Sequence, residues 1–178
     1  KLVWTRENDL QNGWFRQASV MQLRAGIDTE GKVTAWDATR AGGDLSPHSL
    51  AGVLPGELPR TPKPVNDLIL SATESLYDGW LIDSGGVEGL VSDYDFPNKK
   101  LRHISVNHGL PLASWRAVGH SFTAFAKETL MDELAEMAGL NGFEFRRRNL
   151  QNNPRLLGAL EAVEQGLEQW DIPAGHHI

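Results

Sequence analysis

The chain has 178 residues, 40% hydrophobic and 22% charged, with 18 Gly, 9 Pro, 6 Trp and no Cys. That composition excludes a disordered tail, a collagen-like chain and a coiled coil, and the lack of Cys excludes a disulfide scaffold, a thiol nucleophile and a Cys-ligated zinc or iron–sulfur site. Seventeen basic against 23 acidic residues leave a net charge of −6, the wrong sign for a nucleic-acid surface, and no uncharged apolar run reaches bilayer-spanning length.

In chain order, the first forty residues read as β structure. Leu2-Val3-Trp4-Thr5 is a strand-like run ending in the polar Arg6-Glu7-Asn8-Asp9. Met21, Leu23, Ala25 and Ile27 alternate with Gln22 and Arg24, the period of a strand with one buried face. Asp28-Thr29-Glu30-Gly31 is a turn and residues 32–40 a second strand, so 18–40 is predicted to form an antiparallel hairpin. Gly42, Gly43, Pro47, Gly52, Pro55, Gly56, Pro59, Pro62 and Pro64 then predict a long Pro/Gly-rich loop over 41–67, without a helix, pinned by Leu45, Leu50, Val53 and Leu54. Residues 100–106 read as a strand with Arg102, Ile104 and Val106 on one face.

The C-terminal third, residues 119–169, is predicted to be helical. Phe122, Ala126, Leu130, Leu134 and Met137 recur at spacings of four and three, marking the buried face of a helix that Gly139 ends. A shorter helix over 142–150 carries Phe143 and Phe145 beside Arg146-Arg147-Arg148, and Pro154 opens a third that runs to about 169. Strands first and helices afterwards give an α+β fold with N-terminal antiparallel strands.

Gly119-His120-Ser121, between a strand-like 112–118 and a helix, has the setting of a hydrolase nucleophile elbow. Asp132 or Asp171 with His176 or His177 follow in the order that a triad requires, although Thr123 stands where the sharp turn prefers Gly. The other reading of Ser121 is a helix cap that accepts a first-turn N–H. The six histidines show no metal-ligand spacing, so no protein-ligated metal is predicted. Arg146, Arg147 and Arg148 read as a solvated helix face, and Trp4, Trp14, Trp36, Trp80, Trp115 and Trp170 as core and edge packing.

Two segments carry a resemblance. The first is Val3-Trp4-Thr5-Arg6-Glu7-Asn8-Asp9-Leu10, continued by Phe15-Arg16-Gln17-Ala18 and by Leu23-Arg24-Ala25-Gly26-Ile27-Asp28-Thr29-Glu30-Gly31-Lys32-Val33. The second is Ser114-Trp115-Arg116-Ala117-Val118-Gly119-His120-Ser121, then Phe125-Ala126-Lys127-Glu128, Asp132-Glu133-Leu134-Ala135 and Glu144-Phe145-Arg146-Arg147-Arg148-Asn149-Leu150. Both resemble the molybdenum-cofactor-binding large subunit of the xanthine dehydrogenase/aldehyde oxidase family. The wording is most similar to the branch of isoquinoline 1-oxidoreductase beta subunits and membrane-associated aldehyde dehydrogenases.

The resemblance implies that Trp115, Arg116, Ala117, Val118 and Gly119 lie against a molybdenum–molybdopterin cofactor in its dinucleotide form. Ala117 stands where the xanthine dehydrogenase branch has a glycine, and Val118 where it has a pocket phenylalanine. A small [2Fe-2S] subunit, the rest of the same large subunit, and a small heterocycle or aldehyde substrate oxidised with water as oxygen donor are implied in the same way. So is a periplasmic or membrane-associated setting. The family's Gly-rich cofactor motif would lie upstream of Lys1 and its general-base glutamate downstream of Ile178. The chain therefore reads as an excised segment with no catalytic residue and no cofactor of its own.

Overall fold

The computed structural model describes residues 2–90, 93–106, 109–167 and 169–170. Its elements are α1 (Arg6–Asn12), β1 (Ser19–Ile27), β2 (Val33–Gly42), α2 (Leu45–Glu57), α3 (Lys63–Gly79), α4 (Ser84–Val87), β3 (Lys99–Ser105), α5 (His120–Met137), α6 (Gly142–Arg148) and α7 (Pro154–Leu167). The fold is α+β, with one three-stranded sheet in the order β1-β2-β3. The expected hairpin is present. Its turn is closed by the Asp28 N–H on the Lys32 carbonyl at 2.9 Å, with Gly31 at φ 77°. Strand β3 runs parallel to β2, since Trp36 pairs with Asn98 and Gly42 with Val106. A parallel neighbour requires a crossover connection, and α2, α3 and α4 lie within it.

Two N-terminal stretches differ from expectation. The polar run after Thr5 is a helix, α1, because the Thr5 hydroxyl accepts the Asn8 N–H at 3.3 Å and Glu7 and Asp9 sit in the first turn. Residues 41–67 are mostly helical rather than a loop. Pro47 falls in the first turn of α2, Pro55 near its end, and Pro62 and Pro64 at the start of α3, where a missing N–H costs little. A remote carboxylate completes the first turn of α2. Asp83, fully buried, accepts the Leu45 N–H and the Ser46 hydroxyl, the latter at 2.7 Å.

The chain divides into two compact units. One comprises Lys1–Gln22, Ala38–Val91 and Leu101–Phe125. Its core holds Ala38, Leu45, Leu54, Leu90 and Leu112 together with Arg40, which is 0% exposed. The Arg40 guanidinium donates to the Ser19 hydroxyl (3.2 Å), the Gly43 carbonyl (3.2 Å) and His103 Nδ1 (3.3 Å), and lies 5.1 Å over the Phe122 ring. Because Arg only donates, His103 Nδ1 accepts, and the ring proton sits on Nε2, 2.8 Å from Asp44. Ser105 donates to the other Asp44 oxygen. The inward face of β3 is thus Leu101, His103 and Ser105, with Arg102, Ile104 and Val106 outward.

The second unit comprises Leu23–Asp37, Ser92–Lys100 and Ala126–Ile178. Its core is Val33, Trp36, Phe96, Met131, Leu134, Ala135, Phe145 and Leu150, with Trp36 stacked on Phe96 at 4.7 Å. Helix α5 buries Met131, Leu134 and Ala135 there. Ala126 and Leu130 are half-buried and Met137 is 75% exposed, so the expected stripe is rotated toward Met131. The helix ends as expected at Gly139, φ 67°. The Leu140 N–H reaches the Ala135 carbonyl at 2.9 Å, and the Gly139 N–H reaches that of Glu136 at 3.0 Å.

The three arginines of α6 are not a solvated face. Arg146 pairs with Glu128 (3.0 Å) and Asp132 (2.6 Å), Arg147 with Glu144 and Glu164, and Arg148 with Glu144. Arg148 also donates to the Glu30 carbonyl. Asn149, buried beside them, accepts the Val33 N–H at 2.8 Å and donates to the Gly31 and Phe145 carbonyls. Burial and the neighbouring Glu128 push the Tyr94 phenol well above its usual pKa. Of the tryptophans, Trp36 is core, whereas Trp4, Trp14, Trp80, Trp115 and Trp170 are exposed.

Replacing Leu134 by Ala will cost about 2–5 kcal/mol in denaturant unfolding, while Met137→Ala will cost less than about 0.5 kcal/mol. Equal costs would refute the assigned face. Asp44 gives a pH-dependent outcome. Burial alone raises its pKa, but the bonds from His103 and Ser105 and the charge of Arg40 outweigh burial and hold it below the usual value. Its charged form therefore adds stability above an unfolded pKa of about 3.9, and that contribution is lost as pH falls through the lower native value. The unfolding free energy of the parent chain will fall more between neutral pH and strong acid than that of Asp44→Asn.

Candidate functional site

Trp115, Arg116, Ala117, Val118 and Gly119 form a tight turn that leads into α5. The Val118 N–H donates to the Trp115 carbonyl at 2.8 Å. Ala117 (φ 67°) and Val118 (φ 37°) both lie in the left-handed region, whereas the other described residues with positive φ are glycines. A β-branched residue is strained there, and such strain clusters at functional sites. Trp115, Arg116 and Ala117 are exposed, Val118 is half-buried and Gly119 is buried.

Three short segments support the turn. Below Gly119 run Gly85 and Glu88. A Cβ on Gly119 would stand 2.8 Å from the Glu88 carbonyl oxygen and 2.9 Å from that of Gly85, so no side chain fits. The Thr123 hydroxyl shares its proton between the Gly119 and Glu88 carbonyls, each at 2.8 Å. Gly89, at φ 80°, passes close to His120 and Thr123. On another side, residues 14–16 run beside 111–113. The Phe15 N–H donates to the Pro111 carbonyl (2.9 Å), the Ala113 N–H to that of Phe15 (3.1 Å) and the Trp115 indole N–H to that of Trp14 (3.3 Å). Arg16 is thereby brought to the turn, where it donates to the Arg116 and Val118 carbonyls and to Ser121.

Ser121 does not make the expected cap bond, and the described residues do not support it as a nucleophile. Its hydroxyl accepts from Arg16 at 2.6 Å and donates to the Val118 carbonyl at 3.2 Å, while Asp132 is paired with Arg146. His108, Asp171, His176 and His177 lie outside the described residues. Among the described residues, no group of three His, Asp or Glu is placed to hold a metal ion, and no helix is long and apolar enough to cross a membrane.

The donor set suits an anionic or oxo group. Among the described residues, the Ala117 and Gly119 amides have no acceptor, and the first amides of α5 have none within the helix. One residue from Arg16, buried Gln17 carries an Nε2 with no partner among the described residues. Sequence reasoning missed Arg16 and the supporting segment. The available signals were the close-set Gly85, Gly86 and Gly89, and the place of Arg16 in the first resembling segment.

Residues 76–150 match the family described as the molybdopterin cofactor-binding domain. Over 171 residues the chain is 23% identical to the isoquinoline 1-oxidoreductase subunit beta of Brevundimonas diminuta, covering 96% of this chain and 19% of that protein. It is 30% identical over 150 residues to the aldehyde oxidoreductase molybdenum-binding subunit of Escherichia coli K12, covering 84% of this chain and 16% of that one. The chain thus spans less than a fifth of either relative. Among solved structures, aldehyde oxidoreductase from Desulfovibrio gigas shares the fold with a TM-score of 0.56 at 18% identity, over 86% of this chain and 15% of that one. Quinoline 2-oxidoreductase from Pseudomonas putida 86 does so at 0.55 and 22%, over 87% and 18%. These matches identify the chain as a segment of the xanthine dehydrogenase/aldehyde oxidase family, with residues 76–150 matching the molybdopterin cofactor-binding domain.

Proposed function

We propose that the turn formed by Trp115, Arg116, Ala117, Val118 and Gly119 packs on a molybdenum–molybdopterin dinucleotide in a full-length molybdenum-dependent oxidoreductase. The observation that carries this reading is the left-handed Ala117-Val118 turn inside the matched region, whose Ala117 and Gly119 amides have no acceptor among the described residues. The cofactor would supply the two-electron acceptor for oxidation of an N-heterocycle or an aldehyde, with water as oxygen donor. This chain's contribution is binding. The Ala117 and Gly119 amides and the exposed Arg116 side chain offer hydrogen bonds and positive charge to the cofactor's anionic groups. Val118, smaller than the phenylalanine of the xanthine dehydrogenase branch, leaves a wider pocket wall.

The same reading makes the rest of the large subunit and a small [2Fe-2S] subunit the partners. Exposed apolar side chains support extensive partner contact: Trp4 and Trp80 are 65% and 87% exposed, alongside Leu2, Val3, Leu10 and Ile82. In this reading the chain alone is not catalytic.

In the full-length enzyme, Arg116→Ala will lower molybdenum content or turnover far more than it lowers the melting temperature. Glu133→Ala, at an exposed position on α5, will change neither. Full metal loading and full turnover in Arg116→Ala would make the turn purely structural. The isolated chain, purified and assayed by elemental analysis and dye reduction, will hold no stoichiometric molybdenum and oxidise neither aldehydes nor heterocycles. Stoichiometric metal in that preparation would end the reading of the chain as a non-catalytic segment.

A further inference from the structure

The side chain of Arg16 reaches three acceptors around the turn. Its Nη2 donates to the Arg116 carbonyl at 3.1 Å, and its Nη1 to the Val118 carbonyl at 3.0 Å and the Ser121 hydroxyl at 2.6 Å. The contacts join residues a hundred positions apart in sequence. They also have a geometric consequence. A trans peptide is planar, with its C=O and N–H pointing in opposite directions. Anchoring the Arg116 carbonyl on Arg16 turns the Ala117 N–H away from Arg16, and anchoring the Val118 carbonyl does the same for the Gly119 N–H. Among the described residues neither amide has an acceptor, and the two residues between the anchored carbonyls are held at φ 67° and φ 37°.

We infer that Arg16 is a positioning residue. By gripping both carbonyls it presents the Ala117 and Gly119 amides as a fixed pair of donors to an oxyanionic group of the bound cofactor. The inference rests on the proposed role of the turn and adds the device that orients it. Left-handed Ala and Val relax readily to ordinary backbone angles, and such a relaxation would rotate both amides out of line. The planar guanidinium is suited to the task because its fork serves two carbonyls at once, whereas a lysine ammonium is a point charge on a flexible stem. Ser121 completes the grip: its hydroxyl accepts a hydrogen bond from Arg16 and donates one to the Val118 carbonyl.

The test uses the full-length, cofactor-loaded enzyme with Arg16→Gln and Arg16→Lys, read by melting temperature, molybdenum content, kcat and KM, and the Mo(V) electron paramagnetic resonance signal. Arg16→Gln is expected to melt with the parent, to show a displaced Mo(V) signal, and to lose about 10- to 100-fold in kcat per loaded site, the scale of a misplaced group. Arg16→Lys is expected to fall between the two, and it decides by the same readouts if Arg16→Gln is not obtained folded. An unchanged Mo(V) signal and kcat in the Arg16 variants, with Arg116→Ala still losing metal, would overturn the clamp and leave the cofactor turn standing. Loss of kcat only in proportion to a fallen melting temperature would make Arg16 structural and overturn the inference as well. If Arg116→Ala keeps its metal and turnover, the failure belongs to the cofactor reading itself.

Discussion

The unit that carries the turn depends on one buried cation. Arg40 has no exposed surface, and burial pulls its pKa down against the opposing pull of Asp44 and Asp83. A guanidinium so placed is tolerable only if its protons are engaged and counter-charges are near, and removing one member of such a set typically costs about 3–5 kcal/mol. Ser19 on β1, the Gly43 carbonyl and His103 on β3 take its protons, and Phe122 at the start of α5 covers its face. Gly86 passes so close that a Cβ there would stand 2.8 Å from Arg40 Nη1, so residues around it rest on the cation. Their neighbours Gly85 and Glu88 in turn support Gly119. A chain of contacts thus runs from the buried charge to the turn.

Local pattern read well where local forces decide. The 18–40 hairpin, the helical stretch after 119, the Gly139 stop and Pro154 at the start of α7 follow from alternation, helical spacing, a left-handed cap and a first-turn proline. Residues 41–67 mislead because a high proline count argues against helix, whereas Pro47, Pro62 and Pro64 stand at helix starts and Pro55 near a helix end. The carboxylate that completes the first turn of α2 comes from Asp83, 38 residues beyond Leu45, and no local pattern announces it. Arg146, Arg147 and Arg148 misled for a related reason. Their partners lie on α5 and α7 as well as on α6, so a charge run that looks solvated in one helix becomes a tie among three.

The site divides along the same line. Residues 115–119 were singled out by resemblance alone, and no local pattern announces the left-handed turn they form. The supports of that turn were not singled out. Gly85 and Glu88 contribute backbone carbonyls, and a backbone carbonyl leaves no mark in the sequence beyond the space it demands of Gly119. Arg16 sits within the first forty residues, read only as β structure, and its contacts with the turn appear only when 14–16 is laid beside 111–113.

Ala117 shows how these constraints combine. Glycine is the residue that enters the left-handed region without strain. Here the conformation persists with a Cβ at 117 and a branched side chain at 118. A strained backbone keeps such angles only where its surroundings over-determine them. Two of those surroundings are visible: Arg16 grips the carbonyl before Ala117 and the one after it, and the Gly85–Glu88 backbone fixes the exit at Gly119. Tertiary restraint here does what a glycine's freedom would otherwise do. A turn held this way is stiff, and stiffness is what a pair of amides needs if they are to present donors at fixed positions without reorganising when an anionic group arrives.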